Sequence, residues 1–106
     1  MVTPDRGDLV WIAIDHGAGH REERRPALVV SPRLYNERSG LALMCAVASR
    51  ATGYPFEVQI PEGAPVTGVI LADHLRSADW RARRAEIAGR VPAATVADVL
   101  AKLKPL

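Results

Sequence analysis

Arg24 and Arg25 stand side by side at the head of Pro26-Ala27-Leu28-Val29-Val30-Ser31-Pro32. An arginine carried by a strand is held by the sheet, and its planar, always-charged fork suits the oxygens of a phosphate. Other residues able to do chemistry are sparse: His16 and His20, Arg50, the run Asp73-His74-Leu75-Arg76, the cluster Arg81 to Arg84, a few hydroxyls and scattered acids. No glycine-rich phosphate cradle, Ser-His-Asp order or zinc-ligand spacing is present. Arginine supplies twelve of the fourteen basic residues, which points to phosphate recognition, with an arginine-favouring codon bias as the competing cause. Such an inventory suits metal-free cleavage of RNA. The substrate brings its own nucleophile, the 2′-hydroxyl, so the protein need only align it, move protons and stabilise charge on the phosphorane. Arginine, a poor base, serves the last of these tasks best.

The elements that must position these groups can be read from pattern. Gly7 to Asp15 opens as a β-branched and aromatic strand with Trp11 in the core. The polar stretch from His16 to Glu23 cannot pack a core and has the composition of a lid leading into Arg24. The apolar residues between Pro26 and Pro32 read as a short buried strand limited by those prolines. Arg33 to Gly40 reads as a helical turn ended by glycine, and Leu41 to Ser49 as a second buried strand with Arg50 at its exit. Pro55 to Ile60 alternates as a half-exposed strand. Val69 to Ala72 is apolar, and Asp73 to Ser77 continues it with a change of polarity that predicts a bend or bulge. After the arginine cluster comes a weak strand, Ala85 to Val91. Pro92 then fits the first turn of a helix with Val96, Val99, Leu100 and Leu103 on one stripe. Short strands and a terminal helix predict a mainly β fold, a small antiparallel barrel capped by the C-terminal helix, in one domain over residues 1–106.

Composition narrows the remaining classes. A chain of 106 residues can bury a core without disulfides or structural metal. The single cysteine, Cys45, lies in an apolar run and is expected to be buried and inert in a reducing compartment. His16 and His20 lack further ligands nearby, so neither a metal nor another cofactor is expected. No segment approaches the roughly twenty apolar residues of a membrane span, and the expected location is the cytoplasm. The formal net charge of +2 favours a polyanionic partner.

Five blocks carry a resemblance: Gly7-Asp8-Leu9-Val10-Trp11, Arg25 to Pro32, Gly53-Tyr54-Pro55-Phe56-Glu57-Val58, Leu71-Ala72-Asp73-His74, and Ser77-Ala78-Asp79-Trp80-Arg81-Ala82-Arg83. In order and spacing they resemble the MazF/PemK toxin family, from about residue 5 to the C-terminal helix. The resemblance implies an SH3-like barrel, a homodimer, and a sequence-specific, metal-independent endoribonuclease acting on single-stranded RNA. It also implies a cognate antitoxin whose acidic, flexible tail occupies the RNA groove. The family's catalytic arginine falls on Arg25. The stretch from His16 to Arg24 matches a loop that shapes the RNA groove, with its acid at Glu22 or Glu23. His16, His20, Arg24, Arg50, Asp73, His74 and Arg76 are the other RNA-facing candidates.

One position departs from the family pattern. Its second catalytic residue is a threonine, and by spacing that place holds Ala48, whose methyl group can neither pass a proton nor hydrogen-bond a phosphate. Ser49 is adjacent, but in a continuing strand it points to the opposite face and could substitute only if the strand ended or bulged there. Three accounts follow: an inactivated variant, a member using Ser49, or a member that has lost cleavage. From the residues alone, Ala48→Thr is expected to raise cleavage by about 10²-fold or more where it restores proton transfer. Two other functions compete: a topoisomerase-inhibiting toxin on the same barrel, which the Arg-Pro block argues against, and a non-catalytic module binding RNA or antitoxin.

Overall fold

Asp8–Ile14 form the first strand, β1, in the computed structural model, which describes residues 2–14 and 23–106. β2 (Glu23–Val29), α1 (Arg33–Ser39), β3 (Leu41–Ala48), β4 (Glu57–Gln59), β5 (Val69–Asp79), β6 (Glu86–Arg90) and α2 (Ala93–Leu103) follow. The six strands make one antiparallel sheet in the order β4-β5-β3-β2-β1-β6. It curls into a half-barrel because alternate residues of the central strands feed two separate apolar clusters.

One face of the sheet carries Leu9, Leu28 and Cys45 into a core completed by Val58, Ile70, Val96 and Val99, so α2 packs here through its predicted stripe. The other face carries Val10, Ala27, Val29, Ala42 and Met44 onto Trp80 and Ala85. Strand alternation assigns these residues to their faces, and the same alternation places Arg25 and Ala48 on the Trp80 side. The edges of the half-barrel are bridged by the segment between β4 and β5. There Pro65 packs so closely on Gly89 of β6 that a Cβ on Gly89 would meet the Pro65 ring at 2.6 Å.

Three expectations change in detail. β2 begins at Glu23, so Pro26 lies within the strand and does not limit it. Over Glu23–Pro26 only β1 lies alongside, because β3 pairs with β2 from Ala27 to Val29, and a residue without an N–H is tolerated where one side has no neighbour. β4 is shorter than the Pro55–Ile60 pattern, since Tyr54 to Phe56 turn and the Glu57 N–H closes on the Tyr54 carbonyl at 3.1 Å. Pro92 is the N-cap of α2, in extended conformation, and stands just before the first turn.

A buried polar knot ties the second face together. Asn36 of α1 is fully buried and donates through Nδ2 to the Pro4 carbonyl at 2.8 Å and the Ser31 carbonyl at 3.0 Å. The Ser31 hydroxyl bonds Asn36 Oδ1 and accepts from the Leu43 N–H at 2.8 Å. The indole N–H of Trp80 donates to the Asn36 carbonyl at 2.9 Å. At the start of β1, buried Asp8 accepts from Arg90 at 2.7 Å, which joins the edge strand β6 to the chain start. Asp5 caps α1 from outside by accepting the Arg33 N–H at 2.9 Å. That bond, outweighing desolvation, holds its carboxyl below the usual range.

Candidate active site

Arg25 reaches its position through β-sheet register. Ala27, Leu28 and Val29 pair with Ala46, Cys45 and Met44; Arg25 lies two residues beyond the last pair on the face that also carries Ala48, and both line one groove. Arg25 is exposed, and its Nε donates to Glu23 Oε1 at 3.0 Å, a contact two residues along the strand that orients the guanidinium without burying it. Around it lies an open groove of about 790 Å³. Its walls include Ile12 and Ile14 from β1, Met44 to Ala48 from β3 with Ser49 just after it, Leu71, His74, Arg76 and Ser77 from β5, and Arg83. Three arginines and one histidine line it, and no carboxylate does so among the described residues. A groove with that balance attracts an anion along its whole length.

β5 bends where the change of polarity predicts. Its pairing with β3 shifts between Cys45, opposite Leu75, and Val47, opposite Ile70, so Leu71 to His74 stand where β3 has Ala46 alone. This bulge re-aims the strand, and His74 and Arg76 both reach the groove. Asp73 stays outside the lining. Its charge and its hydrogen bond to Tyr54 raise the Tyr54 pKa. Burial, with Asp73 nearby, pushes the Cys45 thiol up to about 11, so the cysteine is the inert hydrophobe expected.

β3 ends at Ala48, and Ser49 is exposed in a bend that lines the groove. The strand therefore stops just before Ser49, which is released from the alternation that would send it to the opposite face. Gly68 abuts this end: a Cβ there would collide with the Ala48 carbonyl oxygen, and its φ of +123° is in any case glycine territory. Gly68→Ala should lower stability by about 1–3 kcal/mol, the usual cost of such strain, and displace the Ala48–Ser49 corner. An unchanged urea midpoint would show that the corner yields freely. Thr52 and Gly53, next along the chain, are gathered by Glu57, which accepts from both N–H groups and the Thr52 hydroxyl at 2.8 to 3.2 Å.

The site candidates therefore divide. Arg25, Ala48, Ser49, His74 and Arg76 come together in the groove. Arg24 does not: it alternates to the other face, pairs with Glu86 at 3.2 Å and donates to the Trp11 and Arg84 carbonyls. Arg50, exposed after β3, is also outside the lining. Glu23 and Arg24 belong to β2 and not to the preceding loop, while His16, His20 and Glu22 lie outside the described residues. Arg83 was not separable from its cluster by sequence. The turn after β5 folds back on β1, where Ala13 N–H bonds the Arg83 carbonyl at 2.8 Å, and this brings Arg83 to the groove wall.

A family model described as PemK-like, MazF-like toxin of type II toxin-antitoxin system matches residues 5–106. The chain belongs to that family. It is 39% identical over 105 residues to the endoribonuclease toxin MazF of Escherichia coli (strain K12), covering 98% of this chain and 94% of that protein. It is 30% identical over 108 residues to the endoribonuclease PemK of Escherichia coli, covering 96% and 80%. Among solved structures, a MazE-MazF structure (Form-III) from Deinococcus radiodurans superposes with a TM-score of 0.92 at 52% identity, covering 98% of this chain and 95% of that one. The curled sheet with its C-terminal helix is thus the MazF-type fold.

Proposed function

We propose that this toxin is a metal-independent endoribonuclease that cuts single-stranded RNA in the Arg25 groove, as a homodimer held in check by a cognate antitoxin. The observation that carries the reading is the groove in which Arg25, His74, Arg76 and Arg83 share one space with the end of β3, with no carboxylate among the described lining residues. The curated relatives named endoribonucleases and the MazE-MazF structures support the reaction and the partner. RNA would lie along the groove with its phosphates against Arg25, Arg76 and Arg83 and its sugars over Ile12 and Ile14. Arg25 then balances the charge that grows on the phosphorane oxygens. An antitoxin tail rich in carboxylates would satisfy the same guanidinium groups and exclude RNA. No helix among the described residues is long and apolar enough to cross a membrane.

The test is incubation of the full chain with a long single-stranded RNA in EDTA. Cleavage is expected and is suppressed by an acidic peptide. RNA retained but uncut would favour the non-catalytic binding module, and no RNA interaction would remove the reading.

A further inference from the structure

Cleavage through a 2′-hydroxyl poses a proton problem that Arg25 does not solve. The attacking hydroxyl must lose its proton as the new bond to phosphorus forms, and guanidinium is too weak an acid to act readily as that base. Ala48 offers no polar atom. The Cys45 thiol is buried and pushed up to about 11, which removes it as a base. Arg76 and Arg83 remain cations. Among the described lining residues His74 alone bears a side chain whose ordinary charge change falls between about pH 5 and 8.

Its placement supports the role. The β5 bulge turns His74 into the groove, and its side chain is 56% exposed, open to a substrate. Its Nε2 lies 4.0 Å from Asp73 Oδ1, a buried oxygen with no hydrogen-bond partner. Among the described residues, the charged groups sharing the groove or the strand with the imidazole are Asp73 and Arg76 on its own strand, with Arg25 from β2 and Arg83 from the turn across the groove; the Tyr54 hydroxyl bonds Asp73.

We propose that His74 is the catalytic base of this groove, taking the proton of the attacking 2′-hydroxyl in place of the threonine that position 48 lacks. The 2′-oxygen bonds to phosphorus, the bond from phosphorus to the 5′-oxygen breaks, and that oxygen takes a proton from water. The products are a 2′,3′-cyclic phosphate and a 5′-hydroxyl, and His74 returns its proton to solvent. The proposal rests on the ribonuclease reading above.

The test compares the unaltered chain, His74→Gln, Ala48→Thr and Arg25→Ala on one long single-stranded RNA in EDTA from about pH 5 to 9, with RNA retention measured beside cleavage. His74→Gln is expected to slow cleavage by about 10²-fold or more, keep RNA retention, and flatten the pH profile relative to the unaltered chain. Ala48→Thr is then expected to add less than about tenfold, since the proton already has a carrier. His74→Gln cleaving with the original rate and profile while Arg25→Ala does not would overturn the role of His74 and leave the groove reading standing. A parallel loss of retention and cleavage in His74→Gln would reduce it to a binding residue. A gain of 10²-fold or more in Ala48→Thr would likewise overturn it. Absence of cleavage by the unaltered chain would overturn both readings.

Discussion

Arg25→Ala is expected to cut RNA cleavage by about 10²- to 10³-fold, the scale on which a preorganised donor to a developing anion acts, while stability changes by no more than about 0.5 kcal/mol. The two effects separate because Arg25 contributes little to the fold. Its side chain is 60% exposed and its ion pair with Glu23 is a surface contact, which solvent screens to a small value. The β2 backbone that carries it is held between β1 and, from Ala27 onward, β3, so the strand survives truncation of the side chain. Arg25→Lys should recover only part of the loss, because an ammonium supplies charge but not the fork that contacts two phosphate oxygens. Rates measured alongside urea midpoints settle the matter. Full cleavage by a folded Arg25→Ala protein would dismiss the groove as the active site.

Trp80→Ala should destabilise the chain by about 3–5 kcal/mol, as truncation of a large buried aromatic does. Trp80 is 1% exposed and is the largest fully buried side chain, filling the second face beneath Val10, Val29 and Met44. Removing it leaves a cavity and takes away one donor from the Asn36 carbonyl, although the Gly40 N–H still reaches that oxygen at 3.1 Å. Trp80→Phe should cost less, about 1–2 kcal/mol, keeping most of the volume and losing the indole hydrogen bond. The consequence reaches function, because Trp80 anchors the turn that sets Arg83 beside the groove. Chemical unfolding measures the first effect and cleavage at a temperature where the variant is folded measures the second. An unchanged midpoint for Trp80→Ala would mean that the second face is not a core.

Much of this was legible in the residues, and the reason differs from element to element. The stripe Val96, Val99, Leu100, Leu103 is a local signal, and α2 buries it as expected. The change of polarity at Asp73 marks a strand leaving one environment for another, and the bulge lies there. The resemblance of the Arg-Pro block to the family, and not residue type alone, singled out Arg25. Trp80, by contrast, sits among arginines in sequence, and nothing local distinguishes a buried indole from an exposed one. Arg24 and Arg25 are identical in type and adjacent in order.

By itself, then, the sequence determined the strand-rich class and the terminal helix, because these depend on periodicity and on residue types within a few positions of one another, and its motif blocks pointed to the family and, through that resemblance, to Arg25. Tertiary structure alone decided which neighbours that arginine has. Alternation sends Arg24 to Glu86 and Arg25 to the groove. The β2–β3 pairing brings Arg25 and Ala48 to one groove, and a three-residue slip in β5 delivers His74 to the same space. Those outcomes depend on pairings between strands far apart in the chain, which local pattern does not encode.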